Sequence, residues 1–200
     1  MEAKVLDKDV VVSTSPLVKT YTLDEFWQLP DPTTRHKLEL IGGVLYMPPL
    51  PDEFTHDPVV SCLCQLLIEG LSRLGRPGII LVPRSGILTY HLDTWLEPDL
   101  FYLTNESVQR FKGKPRTSAD LVIEVLSPGS SDYDRTTKAD SYAFLGVREL
   151  WLVDPDERAV EVRYNSGKAW VEARVFRKAE QIASHVLAGL QLSVADIFAD

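Results

Sequence analysis

The run Leu121-Val122-Ile123-Glu124-Val125-Leu126 constrains this chain more than any other six residues in it. Apolar and β-branched on both sides, it reads as a buried strand, yet it carries a carboxylate in its middle. A charge placed there is costly to bury unless something pairs with it. A divalent cation is such a partner. A second acidic residue, Asp99, follows Pro98 and stands just before the apolar run Leu100-Phe101-Tyr102-Leu103, so two strands each bring one carboxylate. Lys138, in the element that follows the Glu124 strand, adds a cation. Hydrolysing a phosphodiester requires an activated water, in-line geometry and positive charge for the oxygens that gain charge, and hard cations such as Mg²⁺ (or Mn²⁺) take oxygen ligands. Asp99 and Glu124 fit as metal ligands, with the neighbouring carbonyl of Val125 as a third, and Lys138 fits a role on water or phosphate.

Along the chain, Thr22-Leu23-Asp24-Glu25 forms a capping box that starts a short helix, which Leu29-Pro30 ends. Lys37-Leu38-Glu39-Leu40-Ile41, Gly42-Gly43 and Val44-Leu45-Tyr46-Met47 read as a hairpin, because paired glycines accept positive φ. From His56 to Leu74 the apolar residues Val59, Val60, Leu63, Leu66, Leu67 and Leu71 recur at helical spacing, with Gly75 as the carboxy-terminal cap. Short strands are expected at 79–82 and 86–90, then the Asp99 strand, a basic loop or short helix, and the Glu124 strand. One helix is expected from Ser130 to Leu145, capped by Ser131 or Asp132, and strands at 149–153 and 160–164 close the readable part. Strand, helix, strand around a central apolar strand predicts a mixed sheet flanked by helices, an α+β fold. Residues 1–20 read as an extended or flexible arm, and residues 21–200 as a single domain.

Each candidate also has an ordinary reading. Asp99 after a proline suits a strand start or turn cap, and Lys138, four residues after Asp134, suits a helix-surface ion pair. Glu39 alternates with Leu38 and Leu40, the pattern of an exposed strand residue. His56, beside Asp57, reads as a cap or surface residue, and Tyr142 as a ring packed along the stem of Lys138. Ser127-Pro128-Gly129-Ser130-Ser131 contains neither a Gly-x-Ser-x-Gly elbow nor a Gly-Lys-Ser/Thr loop, which removes serine-hydrolase and P-loop readings.

Composition bounds the rest. In a 200-residue chain that is 44% hydrophobic there is material for one well-formed core. The two cysteines, Cys62 and Cys64, point to different sides of a helix and lack the second pair of a zinc site. No basic amino terminus leads an apolar segment, and no apolar run is long enough to cross a bilayer. The expectation is a soluble protein of a reducing, cytoplasmic compartment with no membrane partner. A net charge of -8 argues against simple polyanion binding, although a bound cation reverses the field where a phosphate must sit. Arg110, Lys112, Lys114 and Arg116 form the one visible basic cluster.

The segments Glu39-Leu40-Ile41-Gly42-Gly43, Pro98-Asp99-Leu100, Ile123-Glu124-Val125-Leu126-Ser127-Pro128, Lys138-Ala139-Asp140-Ser141-Tyr142 and Gly146-Val147-Arg148-Glu149-Leu150-Trp151-Leu152-Val153-Asp154-Pro155 resemble, in that order, the Uma-two-type restriction endonuclease family of the PD-(D/E)xK nuclease superfamily. The resemblance runs from about Tyr21 to Leu192. It implies a restriction-endonuclease-like mixed β-sheet flanked by helices, with Asp99 and Glu124 as metal-binding carboxylates and Glu39 as an additional acidic residue. The superfamily's Glu-x-Lys would place lysine at position 126, where this chain has Leu126, and Lys138 matches the lysine that has moved to the following helix. A Mg²⁺-dependent endonuclease acting on DNA, as a homodimer, is therefore expected. A catalytically silent nuclease-like scaffold that binds a partner, and a nuclease acting on RNA, are the alternatives.

Overall fold

The computed structural model describes residues 19–30 and 37–198. The arm expected over residues 1–20 lies outside the described residues, apart from its last two. Helix α1 (Leu23–Phe26) opens with the expected capping box, Thr22 and Glu25 satisfying each other's backbone N–H groups. Strands β1 (Glu39–Ile41) and β2 (Val44–Tyr46) form the hairpin, and Gly42 and Gly43 both take positive φ at its turn. Helix α2 (His56–Arg73) follows, then β3 (Gly78–Leu81) and β4 (Ile87–Thr89). A 3₁₀ turn at Tyr90–Leu92 leads to β5 (Thr94–Leu96), a strand the sequence did not announce. Next come β6 (Leu100–Thr104), α3 (Asn105–Phe111) and β7 (Leu121–Val125).

The helix expected from Ser130 to Leu145 is three pieces: α4 (Ser131–Tyr133), a π turn (Asp134–Lys138) and α5 (Ala139–Phe144). Its amino-terminal cap is Ser130, which makes no side-chain cap bond, rather than Ser131 or Asp132. Strands β8 (Glu149–Asp154), β9 (Ala159–Asn165) and β10 (Trp170–Arg177) and helix α6 (Val194–Ile197) complete the order.

Among the described residues two sheets result, one of order β2-β1-β5-β4 and one of order β10-β9-β8-β7-β6-β3. In the larger, only β7 and β8 run parallel, joined by the α4–α5 crossover, so the mixed sheet holds as expected. Alternation divides its residues between two cores. Leu100, Tyr102, Leu121, Ile123, Trp151 and Val153 pack with Leu63, Leu67 and Leu71 of α2. Phe101, Leu103, Val122, Leu150 and Leu152 pack with Ala139 and Tyr142 of α5 and with Ile87 and Leu96 of the smaller sheet. Glu124, two residues after Val122, therefore faces α5. Among the described residues no helix is long and apolar enough to cross a membrane.

Candidate active site

The antiparallel register of β6 and β7 pairs Leu100 with Ile123, and one further step places Asp99 opposite Glu124. Residues opposed across an antiparallel pair point to the same face, so the two carboxylates meet at the end of the sheet. Both line a cavity of about 580 Å³ together with Lys37, His56, Asp134 and Lys138. All four residues named from the sequence are buried, Glu39 and Glu124 at 0% and 2% exposure and Asp99 and Lys138 at 4%.

Lys138 is the hub. Its Nζ lies 2.9 Å from Glu124 Oε1, 3.2 Å from Glu39 Oε1 and 3.8 Å from Asp134 Oδ1. The surface pair with Asp134 is thus the longest of three buried contacts. Glu39 is not an exposed strand residue either: Oε1 also accepts the Glu97 backbone N–H at 2.9 Å, and Oε2 accepts the Tyr133 hydroxyl at 2.9 Å. Pattern alone could not place it, because α4 and the π turn, carrying Tyr133 and Lys138, close over the side of β1 that alternation leaves for Glu39. Tyr142, rather than lying along the lysine stem, donates its hydroxyl to Glu124 Oε1 at 2.5 Å.

Asp99 is held from two directions. Oδ1 contacts Lys37 Nζ at 2.8 Å. Oδ2 accepts the Val125 N–H at 3.0 Å and faces His56 Nε2 at 3.1 Å. His56 is therefore neither a cap nor a surface residue: α2 starts at the cavity wall and turns the imidazole inward, with Nδ1 3.0 Å from Asp57 Oδ1. Asp134 lines the same cavity and accepts the Ser130 hydroxyl at 2.7 Å, which in turn meets Ser127 Oγ at 2.9 Å.

The π turn carrying Lys138 is pinned to the sheet by Arg135, whose guanidinium bonds Asp154 of β8 at 2.9 Å and Glu161 of β9 at 2.7 Å. The basic cluster stands elsewhere. None of its members lines the cavity, Arg110 lies over Phe111, and Arg116 bonds the Gly86 carbonyl. Cys62 and Cys64 are unbridged.

Burial and charge pull the two carboxylates apart. For Asp99, burial opposes ionisation, but the Lys37 charge and the His56 contact outweigh it and hold the carboxyl well below its usual range. For Glu124, burial dominates: against the pull of Lys138, and with the charges of Asp99, Asp134 and Glu39 adding to it, the carboxyl is pushed up to about 8. Burial likewise raises Asp134 despite Lys138 and Ser130. Lys138 loses solvation on burial, yet Glu124 and Glu39 more than compensate and lift its pKa. The site is short of positive charge for the carboxylates it collects.

Sequence reasoning missed Lys37, His56, Asp134 and Tyr133. For Lys37 there was a usable signal. Lys37 and Glu39 flank Leu38, and strand alternation sends both to one face.

A family model described as "Uma2: Putative restriction endonuclease" matches residues 23–195. The chain is also similar to the crystal structure of a "putative nuclease belonging to DUF820" from Anabaena variabilis ATCC 29413, with 25% identity and a TM-score of 0.72, over 89% of this chain and 97% of that one. No curated protein matches.

Proposed function

The chain belongs to the Uma2 restriction-endonuclease family, and on that premise we propose that it is a divalent-cation-dependent endonuclease that hydrolyses phosphodiester bonds in DNA. The observation that carries this reading is the convergence of Asp99 and Glu124 from neighbouring strands on one cavity that also contains Lys138. Among the described residues no three His, Cys, Asp or Glu side chains gather closely enough to hold a metal by themselves. That donor set suits Mg²⁺ or Mn²⁺, which are usually held by one or two carboxylates with the remaining oxygens from carbonyls, water and substrate phosphate. Asp99, Glu124 and the Val125 carbonyl would hold the ion. When bound, it supplies Lewis acidity to the phosphate and lowers the pKa of water. A bound cation would offset the charge of Asp99, which adds to burial in raising the Glu124 carboxyl.

The protein's own groups do the rest. Lys138, fixed between Glu124 and Glu39, orients the attacking water. Glu39 acts through Lys138, holding it in place with a carboxylate that is itself fixed by Tyr133 and the Glu97 N–H. Tyr142 fixes the rotamer of Glu124. A homodimer, the commonest assembly, belongs to the same reading, and light scattering of the purified protein tests it.

A second reading has one observation behind it: every carboxylate at the site already has a partner within the protein, as a silent binding scaffold would need. Metal titration separates the two. A scaffold has no use for Mg²⁺ at Asp99 and Glu124, whereas the nuclease binds Mn²⁺ and loses that binding in Asp99→Asn. Duplex, single-stranded and branched DNA, with RNA alongside, are the substrates to offer with Mg²⁺ or Mn²⁺. Failure to cut any of them sinks the enzyme, and cleavage of RNA alone reassigns its substrate.

A further inference from the structure

Among the described residues two lysines line the cavity, and one of them is positioned to meet a substrate. Lys138 is 4% exposed and enclosed by Glu124, Glu39 and Asp134. The Lys37 side chain is 30% exposed and, among the described residues, makes one ion pair, with Asp99 Oδ1. The two oxygens of Asp99 are also unequal. Oδ2 is engaged by the Val125 N–H, part of the sheet backbone, and by His56, whose ring is anchored by Asp57. Oδ1 is thus the oxygen with room for an incoming cation, and Lys37 occupies it. A divalent ion bound at that oxygen repels an ammonium already on it, and at low dielectric this favours displacement of the lysine.

We propose that Lys37 is an exchangeable counter-ion, which covers Asp99 Oδ1 in the metal-free protein, yields that oxygen to the divalent ion, and then carries its ammonium to a non-bridging oxygen of the substrate phosphate. The proposal rests on the nuclease reading above and adds a catalytic residue to it. Its chemistry suits the position. An ammonium on a four-carbon stem is a compact charge that can swing between two acceptors, as a planar guanidinium fixed in a bidentate pair does not. The chain's net charge of -8 makes such a local cation necessary, since general attraction to a polyanion is weak. The same lysine that neutralises the buried aspartate before metal arrives then answers the phosphate charge after it.

Amine acylation of the wild-type protein, followed by mass spectrometry, reads the exchange directly. Lys37 reacts slowly without metal and several-fold faster once Mg²⁺ is bound, while Lys138 stays unreactive in both states. In Lys37→Met the competitor is gone. Calorimetry then gives Mn²⁺ binding about tenfold tighter, and kcat/KM on DNA falls about tenfold, mostly through KM, as loss of one charge-assisted hydrogen bond requires. Lys37→Arg keeps the charge and recovers part of the KM. If Mg²⁺ binds and Lys37 acylates at an unchanged rate, or Lys37→Met binds Mn²⁺ no more tightly, the exchange is refuted while the nuclease reading stands. If calorimetry shows no metal bound by the wild type, the nuclease reading falls first and this inference with it. Should Lys37→Met fail to fold, the wild-type acylation rates decide alone.

Discussion

The parallel pair β7–β8 has buried carboxylates at both ends, and the two ends treat them differently. At the end where β7 begins, Glu149 accepts the Trp151 indole N–H at 2.6 Å and the backbone N–H groups of His185 and Val186 at 2.9 and 3.1 Å. Beside it, Asp120 accepts the Thr104 N–H at 2.8 Å and meets Arg148 at 3.2 Å. Most of those donors are backbone or ring N–H groups fixed by the fold. At the other end the partners of Asp99 and Glu124 are chiefly lysines, an imidazole and a phenol, on side chains that can turn elsewhere. Burial of a carboxylate thus says little about its role by itself. Donors that cannot leave make a structural joint, and donors that can leave make a site able to take something in.

The largest effect that would break this contrast is catalytic. Glu124→Gln should lower metal-dependent cleavage by about a thousandfold, the loss expected when several kcal/mol of metal-derived stabilisation disappears, with circular dichroism unchanged. Glu149→Ala should do the reverse. It leaves the buried Trp151 indole N–H and the part-buried N–H groups of His185 and Val186 without their acceptor and should cost about 3 kcal/mol in denaturant unfolding, with turnover per folded molecule preserved. A Glu149→Ala protein that is stable but inactive would erase the distinction.

Metal provides the next test. At a hundred times its dissociation constant, Mg²⁺ should stabilise the wild type by about 2.7 kcal/mol, seen as a rise in Tm. The rise should vanish in Asp99→Asn and survive in Asp120→Asn. Acid and base titration tests the same contrast without metal. Folding holds a proton on Glu124 up to about 8 against an ordinary value of 4.5, so the folded state binds more protons and this group costs stability as pH rises through that window. In chelator-treated samples, the stability of Glu124→Gln relative to wild type should therefore climb from pH 4.5 to about 8 and then level off. Asp120 has the opposite sign. Its carboxyl is depressed below its ordinary 3.8, Ser107, Thr104 and Arg148 overcoming the cost of burial, so its contribution is present above that pH and is lost as pH falls below it. A flat difference for Glu124→Gln would mean that the carboxyl is already ionised without metal.

Local pattern made the scaffold legible, and contact across the chain hid much of the site. The apolar run around Glu124, the helical spacing of α2, the glycine pair and the capping box each follow from rules that act over a few residues, and each element formed where expected. Glu124 itself stood out because a lone carboxylate in such a run demands a partner. Lys37 reaches Asp99 across 62 positions and Tyr133 reaches Glu39 across 94, so no local rule connects them. The inward turn of His56 depends on where α2 lands against the sheet. Strands β5 and β10 went unread for a related reason: β5 is three residues long, and β10 is mostly exposed with mixed polarity, so neither presents the alternation of a half-buried strand.

The π turn between Asp134 and Lys138 fits one more residue into its loop than an α turn would, and this makes the segment intolerant of length changes in a particular way. Arg135 fastens the early half to β8 and β9, whereas Lys138 and Tyr142 reach Glu124 from the late half. Deleting Thr136 or Thr137 would let the turn relax into ordinary helix, and each residue of helix carries about 100° of rotation. The two halves would fall out of phase, and the phenol and ammonium would swing off their carboxylate together while the rest of the fold stayed intact. Conservative substitutions in this segment should be forgiven far more readily than the loss of a single small residue.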